Sequence, residues 1–74
     1  MQNWEYCRID VTLYREGTGG GTRELLAITR PGEHPASITH AFGSMGLLNQ
    51  LGAEGWELVD VEGAVFYLKR PTKK

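Results

Sequence analysis

The sequence predicts a small α+β domain: an antiparallel sheet of about four strands in the order β-β-α-β-β, with one helix packed on one face. Three observations carry this expectation. Residues 4–14 alternate in the way a strand does. Residues 47–61 change hydrophobic period in mid-run, from helical spacing up to Gly52 to alternation from Trp56, with Gly55 at the change. Glu62 and Gly63 separate two apolar runs and supply a two-residue hairpin turn.

Each element has its own reason. In residues 4–14, Cys7, Ile9, Val11 and Leu13 share one face, and Trp4, Tyr6, Arg8, Asp10, Thr12 and Tyr14 share the other. Such β-branched and aromatic enrichment suits a pleated surface. The glycine-rich run 16–22 is a flexible loop. Residues 23–29, with Leu25, Leu26, Ala27 and Ile28, form a second strand that stops before Pro31. The segment 31–35 holds two prolines and a glycine and reads as a turn. Ser37 is the expected N-cap of a helix over residues 38 to about 54. On its wheel Ile38, Ala41, Phe42, Met45 and Leu48 form the buried stripe, while Leu47 and Leu51 point away and need a second surface. Gly43 and Gly46 weaken its middle, so the helix is expected to be irregular at first and regular only from Ser44. In the closing hairpin Val59 is expected opposite Phe66, and Glu57 opposite Leu68.

The chain of 74 residues reads as a single domain, 1–74. A domain this short buries only about 60% of its unfolded surface and is marginal alone. Cys7 is the only cysteine, so no internal disulfide helps. No cluster of cysteine and histidine has zinc spacing. Both faces of the expected sheet are apolar, and one helix covers only one, so association between copies is expected. The net charge of -1 argues against a dedicated nucleic-acid binder. Lys69, Arg70, Lys73 and Lys74 cluster near the end and read as solvated, with 71–74 a frayed tail. No apolar run reaches the roughly 20 residues that span a bilayer. Trp4 and Tyr6 stand where a signal peptide would, and a cytoplasmic protein is the expectation.

Trp4-Glu5-Tyr6, the run from Leu48 to Val61 with its Glu54-Gly55-Trp56-Glu57-Leu58 core, and the closing Lys69-Arg70-Pro71 resemble the family called domain of unknown function 4177. This is a group of small bacterial and phage domains. The resemblance covers both ends of the chain and implies the fold above. It implies no activity, and the glycine-rich loop and residues 30–40 depart from the pattern.

The residues with chemistry mostly have a plainer role. Cys7 could act as a nucleophile with His34 or His40, but it shares a strand face with Ile9 and Val11 and reads as a small core residue. Glu54 and Glu57 flank the glycine stop without implying a cleft. Gly17 to Gly21 lacks the lysine of a phosphate loop. Trp4 and Tyr6 could stack bases, but with no basic stripe between them they read as core or interface packing. Only residues 30–40 gather donors. Arg30, His34, Ser37, Thr39 and His40 converge on the expected helix start, where free N–H groups suit an anion.

The sequence thus leads to a non-enzymatic, oligomeric binding module with its site at a subunit interface. The expected ligand is a small anion such as a nucleotide, with no metal and no cofactor. The alternative is a protein-interaction adaptor that uses an exposed apolar sheet face.

Overall fold

A computed structural model describes residues 3–15, 17 and 21–72. Six elements follow in order: β1 (Trp4–Arg15), β2 (Thr22–Thr29), β3 (Ala36–Ile38), α1 (Gly43–Ala53), β4 (Glu57–Glu62) and β5 (Val65–Pro71). The strands form one antiparallel sheet in the order β3-β2-β1-β5-β4. The fold is α+β, with one more strand than the sequence suggests.

β1 is the axis of the sheet. It is the longest strand and pairs β2 on one side and β5 on the other. Ile9 lies between Ile28 and Phe66, and Cys7 beside Leu68. These positions share the covered face. Cys7, Ile9, Leu26, Ile28 and Leu68 are buried there under Leu47, Leu51 and Trp56. The apolar face read from β1 is therefore the core face. Leu13 belongs to it by phase but stays 64% exposed, because β1 and β2 run on past the helix.

The helix is where the sequence reading needs most correction. It begins at Gly43, not at residue 38, and Ser37 lies in β3 rather than at a cap. Residues 36–38 pair with Leu26, Ala27 and Ile28, so Ile38 adds to the core as a strand residue. Tertiary pairing has overridden a local capping signal. The buried stripe is also a different one, although Leu48 of the expected stripe is partly buried against the core. Leu47 and Leu51 are 1% and 0% exposed, while Phe42 and Met45 are 80% and 66% exposed. The expected wheel took its phase from Ile38, Ala41 and Phe42, none of which is helical.

The glycine stop stands as read. Gly55 has φ 97. Its N–H bonds the Gly52 carbonyl at 3.0 Å, and the Trp56 N–H bonds the Leu51 carbonyl at 3.0 Å. That pair of bonds is the Schellman motif, and Trp56 and Leu51 supply its apolar contact in the core.

The hairpin register shifts by one. Its turn is Gly63-Ala64, between Glu62 and Val65. Gly63 has φ 60 and no described non-glycine residue, Ala64 included, has positive φ, the backbone pattern of a type II′ turn. Glu57 then faces Lys69, Leu58 faces Leu68 and Val61 faces Phe66, with an irregularity between Leu58 and Asp60. Lys69 and Arg70 are ladder residues of β5, and Pro71 belongs to the strand as well. The Thr72 N–H bonds the Asn3 carbonyl at 3.0 Å. The rest of the expected tail, 73–74, lies outside the described residues.

Candidate functional site

The five residues expected at an anion site are not brought together. Arg30 follows β2 at the far end of the helix, where its Nη1 is 3.4 Å from Glu54 Oε1. His34 is exposed in the connection after β2. Ser37 sits on β3 opposite Ala27. Only Thr39 and His40 approach the helix start, in a cleft of about 510 Å³ shared with Tyr14, Arg23 and Glu24. A strand rises about 3.3 Å per residue, so Arg30 stands about 20 Å along β2 from Glu24.

The helix N-terminus itself holds a carboxylate of the chain. Phe42 caps without a side-chain bond. Glu24 of β2 instead accepts the Ser44 N–H at 2.6 Å and the Ser44 hydroxyl at 3.2 Å. The positive end of the helix dipole is thus answered from inside the domain. His40 Nδ1 accepts the Phe42 N–H at 3.1 Å, which makes Nε2 the protonated nitrogen of the neutral ring. A side chain at Gly46 would run into the His40 ring, and one at Gly43 into the Glu24 carboxylate. Both glycines are therefore needed for this packing rather than tolerated in it.

At the other end of α1, Arg70 gathers the C-terminus. Its Nε donates to Glu5 Oε2 at 2.6 Å and its Nη1 to the Glu54 carbonyl at 3.2 Å. The guanidinium lies 4.4 Å from the centre of the Trp56 ring. The buried Trp56 indole N–H has no hydrogen-bond partner among the described residues. Burial pushes the Cys7 thiol up from its ordinary 9.0, while Arg30 and Arg70 pull it down. A raised, buried thiol is a poor nucleophile. This end of the helix is a latch, holding Glu5, Glu54 and Trp56 around one arginine.

The uncovered face of the sheet carries a different set. Trp4, Tyr6 and Arg8 project from β1 on the side away from the core. Cross-strand pairing sets Lys69 beside Tyr6 and Tyr67 beside Arg8. The Lys69 ammonium is 4.1 Å from the centre of the Trp4 ring, within cation–π range. Arg8 is held along the strand by Asp10 at 2.9 and 3.2 Å, and that carboxylate pushes its pKa up. Tyr6 is 61% exposed. The face is thus a strip of aromatic rings interleaved with cations. Sequence reasoning missed it because Lys69 is far from Trp4 along the chain. The available signal was the alternation of Trp4 and Tyr6, with Tyr67 and Lys69 matching it in a strand that pairs β1.

Among the described residues no group of three or more His, Cys, Asp or Glu is placed to hold a metal ion. No described helix is long and apolar enough to cross a membrane. Comparisons of the chain with family models, with curated proteins and with solved structures gave no match in any of the three.

Proposed function

We propose that this domain is a non-enzymatic, homo-oligomeric binding module. It takes a flat, anionic, nucleotide-like ligand on the open face of its sheet, and a second copy closes the site. The observation that carries the reading is the Trp4–Lys69–Tyr6 strip. Aromatic rings accept a planar base by stacking, which is worth about 1–3 kcal/mol per base. Lys69 and Arg8 supply positive charge beside them. The helix leaves this face bare while covering the other. The eight buried core residues among those described make a small core for a chain that must stand alone. The face also carries Asp10, paired with Arg8 along the strand, and Glu57, opposite Lys69, so a second copy meets balanced charge there.

Calorimetric titration with a panel of nucleoside monophosphates and cyclic nucleotides tests the ligand. Tyr6→Ala should weaken binding by about 1–3 kcal/mol. Lys69→Ala should weaken it and flatten its salt dependence. Arg30→Ala should leave affinity unchanged, since Arg30 is remote from this face and paired to Glu54. A parent protein that binds none of the panel would transfer the open face to the adaptor reading, with a protein surface as its partner.

A further inference from the structure

We infer that the overhanging part of β1, residues 12–15, is an inter-subunit strand edge that pairs antiparallel with the same residues of a second copy about a two-fold axis at Tyr14. The inference extends the self-association reading but uses a different surface from the open face.

The ladder on the β5 side of β1 ends at Asp10 opposite Val65, and the Val11 N–H donates to the Ala64 carbonyl at 2.9 Å. On the other side β1 stays paired with β2 as far as Arg15. Residues 12–15 therefore form one rail of a two-stranded ribbon that projects beyond the sheet. The molecule is long for its size, 54 Å against 21 and 19 Å. A two-stranded ribbon is marginal by itself in water. Leu13 is 64% exposed on one side of it, and Tyr14 is exposed on the other.

Backbone direction decides which groups are unpaired. The Val11 N–H points to the β5 side, so by strand alternation the N–H and C=O groups of Leu13 and Arg15 do too. Among the described residues nothing bonds them there. Groups of this kind recruit another strand.

The other edges of the sheet are blunted. β4 carries an irregularity at Leu58/Asp60. Its two-residue turn aims the Val61 N–H at the free edge, where Asp60 Oδ1 takes it at 2.8 Å. β3 is three residues long and follows Pro35. The β1 overhang has no such protection among its described residues.

The register follows from satisfying those groups. An axis at Leu13 would join Leu13 to its own copy and set Arg15 against Val11, whose N–H is already used. An axis at Tyr14 sets Leu13 opposite Arg15 in both directions, and every unpaired group of the two residues gains a partner. The two tyrosines then meet as a non-hydrogen-bonded pair, where side chains approach closest. No arginine faces an arginine in this register. That self-matching favours a second copy over an unrelated peptide.

Cross-linking and a proline variant test it together. In a non-hydrogen-bonded pair the Cα atoms are about 4.5 Å apart, inside the range for a disulfide. Tyr14→Cys should form a covalent dimer under mild oxidation. Leu13→Cys should not, because its own copy lies diagonally away. Cys7 is buried and should not interfere. Leu13→Pro removes an N–H that the isolated chain does not use, so it should fold while its dimer dissociation constant rises at least about tenfold, or 1.4 kcal/mol. Thr12→Pro removes an N–H aimed at β2 and should instead destabilise the chain. If Leu13→Pro fails to fold, the cysteine pair decides alone. Failure of Tyr14→Cys to cross-link, or equal cross-linking at Leu13, would overturn the register and the edge. Loss of assembly in Tyr6→Ser with Tyr14→Cys cross-linking intact would separate the open face from this edge.

Discussion

The two faces of β1 both carry large apolar side chains, aliphatic on one and aromatic on the other, and have opposite fates. Cys7 and Ile9 are 2% and 0% exposed, while Tyr6, next to Cys7 in sequence, is 61% exposed. Alternation is equally clean on both sides. What separates them is α1, which lies over one face and leaves the other to solvent. Apolar character thus selected strand positions, and helix placement selected which of them became core. Tyr6, Trp4 and Tyr67 stay on the uncovered side.

The contrast can be broken most forcefully from the covered side. Leu51→Ala removes a fully buried side chain and should cost about 2–5 kcal/mol, read by chemical denaturation. Tyr6→Ser on the open face should stay within about 0.5 kcal/mol when measured on dissociated protein. Equal losses would mean that the open face is as structural as the covered one.

Gly55→Val probes the corner that puts the helix over its face. The φ of 97 is strained for any L side chain, though the space around it is open. The loss should be at least about 1 kcal/mol and come from backbone strain alone. A variant melting with the parent would show that the corner tolerates another path.

The two ends of α1 offer a gentler comparison. Glu24→Ala removes the acceptor of the Ser44 N–H and should cost about 1 kcal/mol, with the helix start fraying first in hydrogen exchange. The C-terminal turn, held by Gly55 and Arg70, should keep its protection. Uniform loss along the helix would argue against a local cap.

The smallest effect concerns Cys7. Its folded thiol titrates above the ordinary 9.0 because of burial. The folded state therefore holds that proton more tightly than the unfolded state. The resulting stability is fully present below 9.0 and is lost as pH rises through the folded value. Parent and Cys7→Ala denaturation curves should converge across that alkaline window. A constant difference at every pH would remove ionisation from the account and leave packing.

Legibility followed the range of the interaction. The β1 alternation and the Gly55 stop depend on neighbours along the chain, and both were readable. Ser37 looked like a cap because its local sequence permits one, yet residues 36–38 gain more by pairing with β2. Leu47 and Leu51 were placed on the wrong side for the same reason: moving the helix start to Gly43 removed the residues that had set the phase. The anion site rested on that start, and Glu24, from another element, now occupies it. Lys69 and Arg70 looked like a loose tail, but each meets a tryptophan, one on each side of the sheet.

The sequence by itself determined an α+β chain, the polarity of its central strand, the helix-to-strand corner at Gly55 and the surplus of apolar surface. Those follow from backbone freedom and hydrophobic period, which act over a few residues. Only the tertiary structure decided the fifth strand, the buried side of the helix, the carboxylate at its start and the Trp4–Lys69–Tyr6 strip. Each of these depends on which strands become neighbours, and pairing is settled by burial and hydrogen-bond satisfaction across the whole domain rather than by any local run of residues.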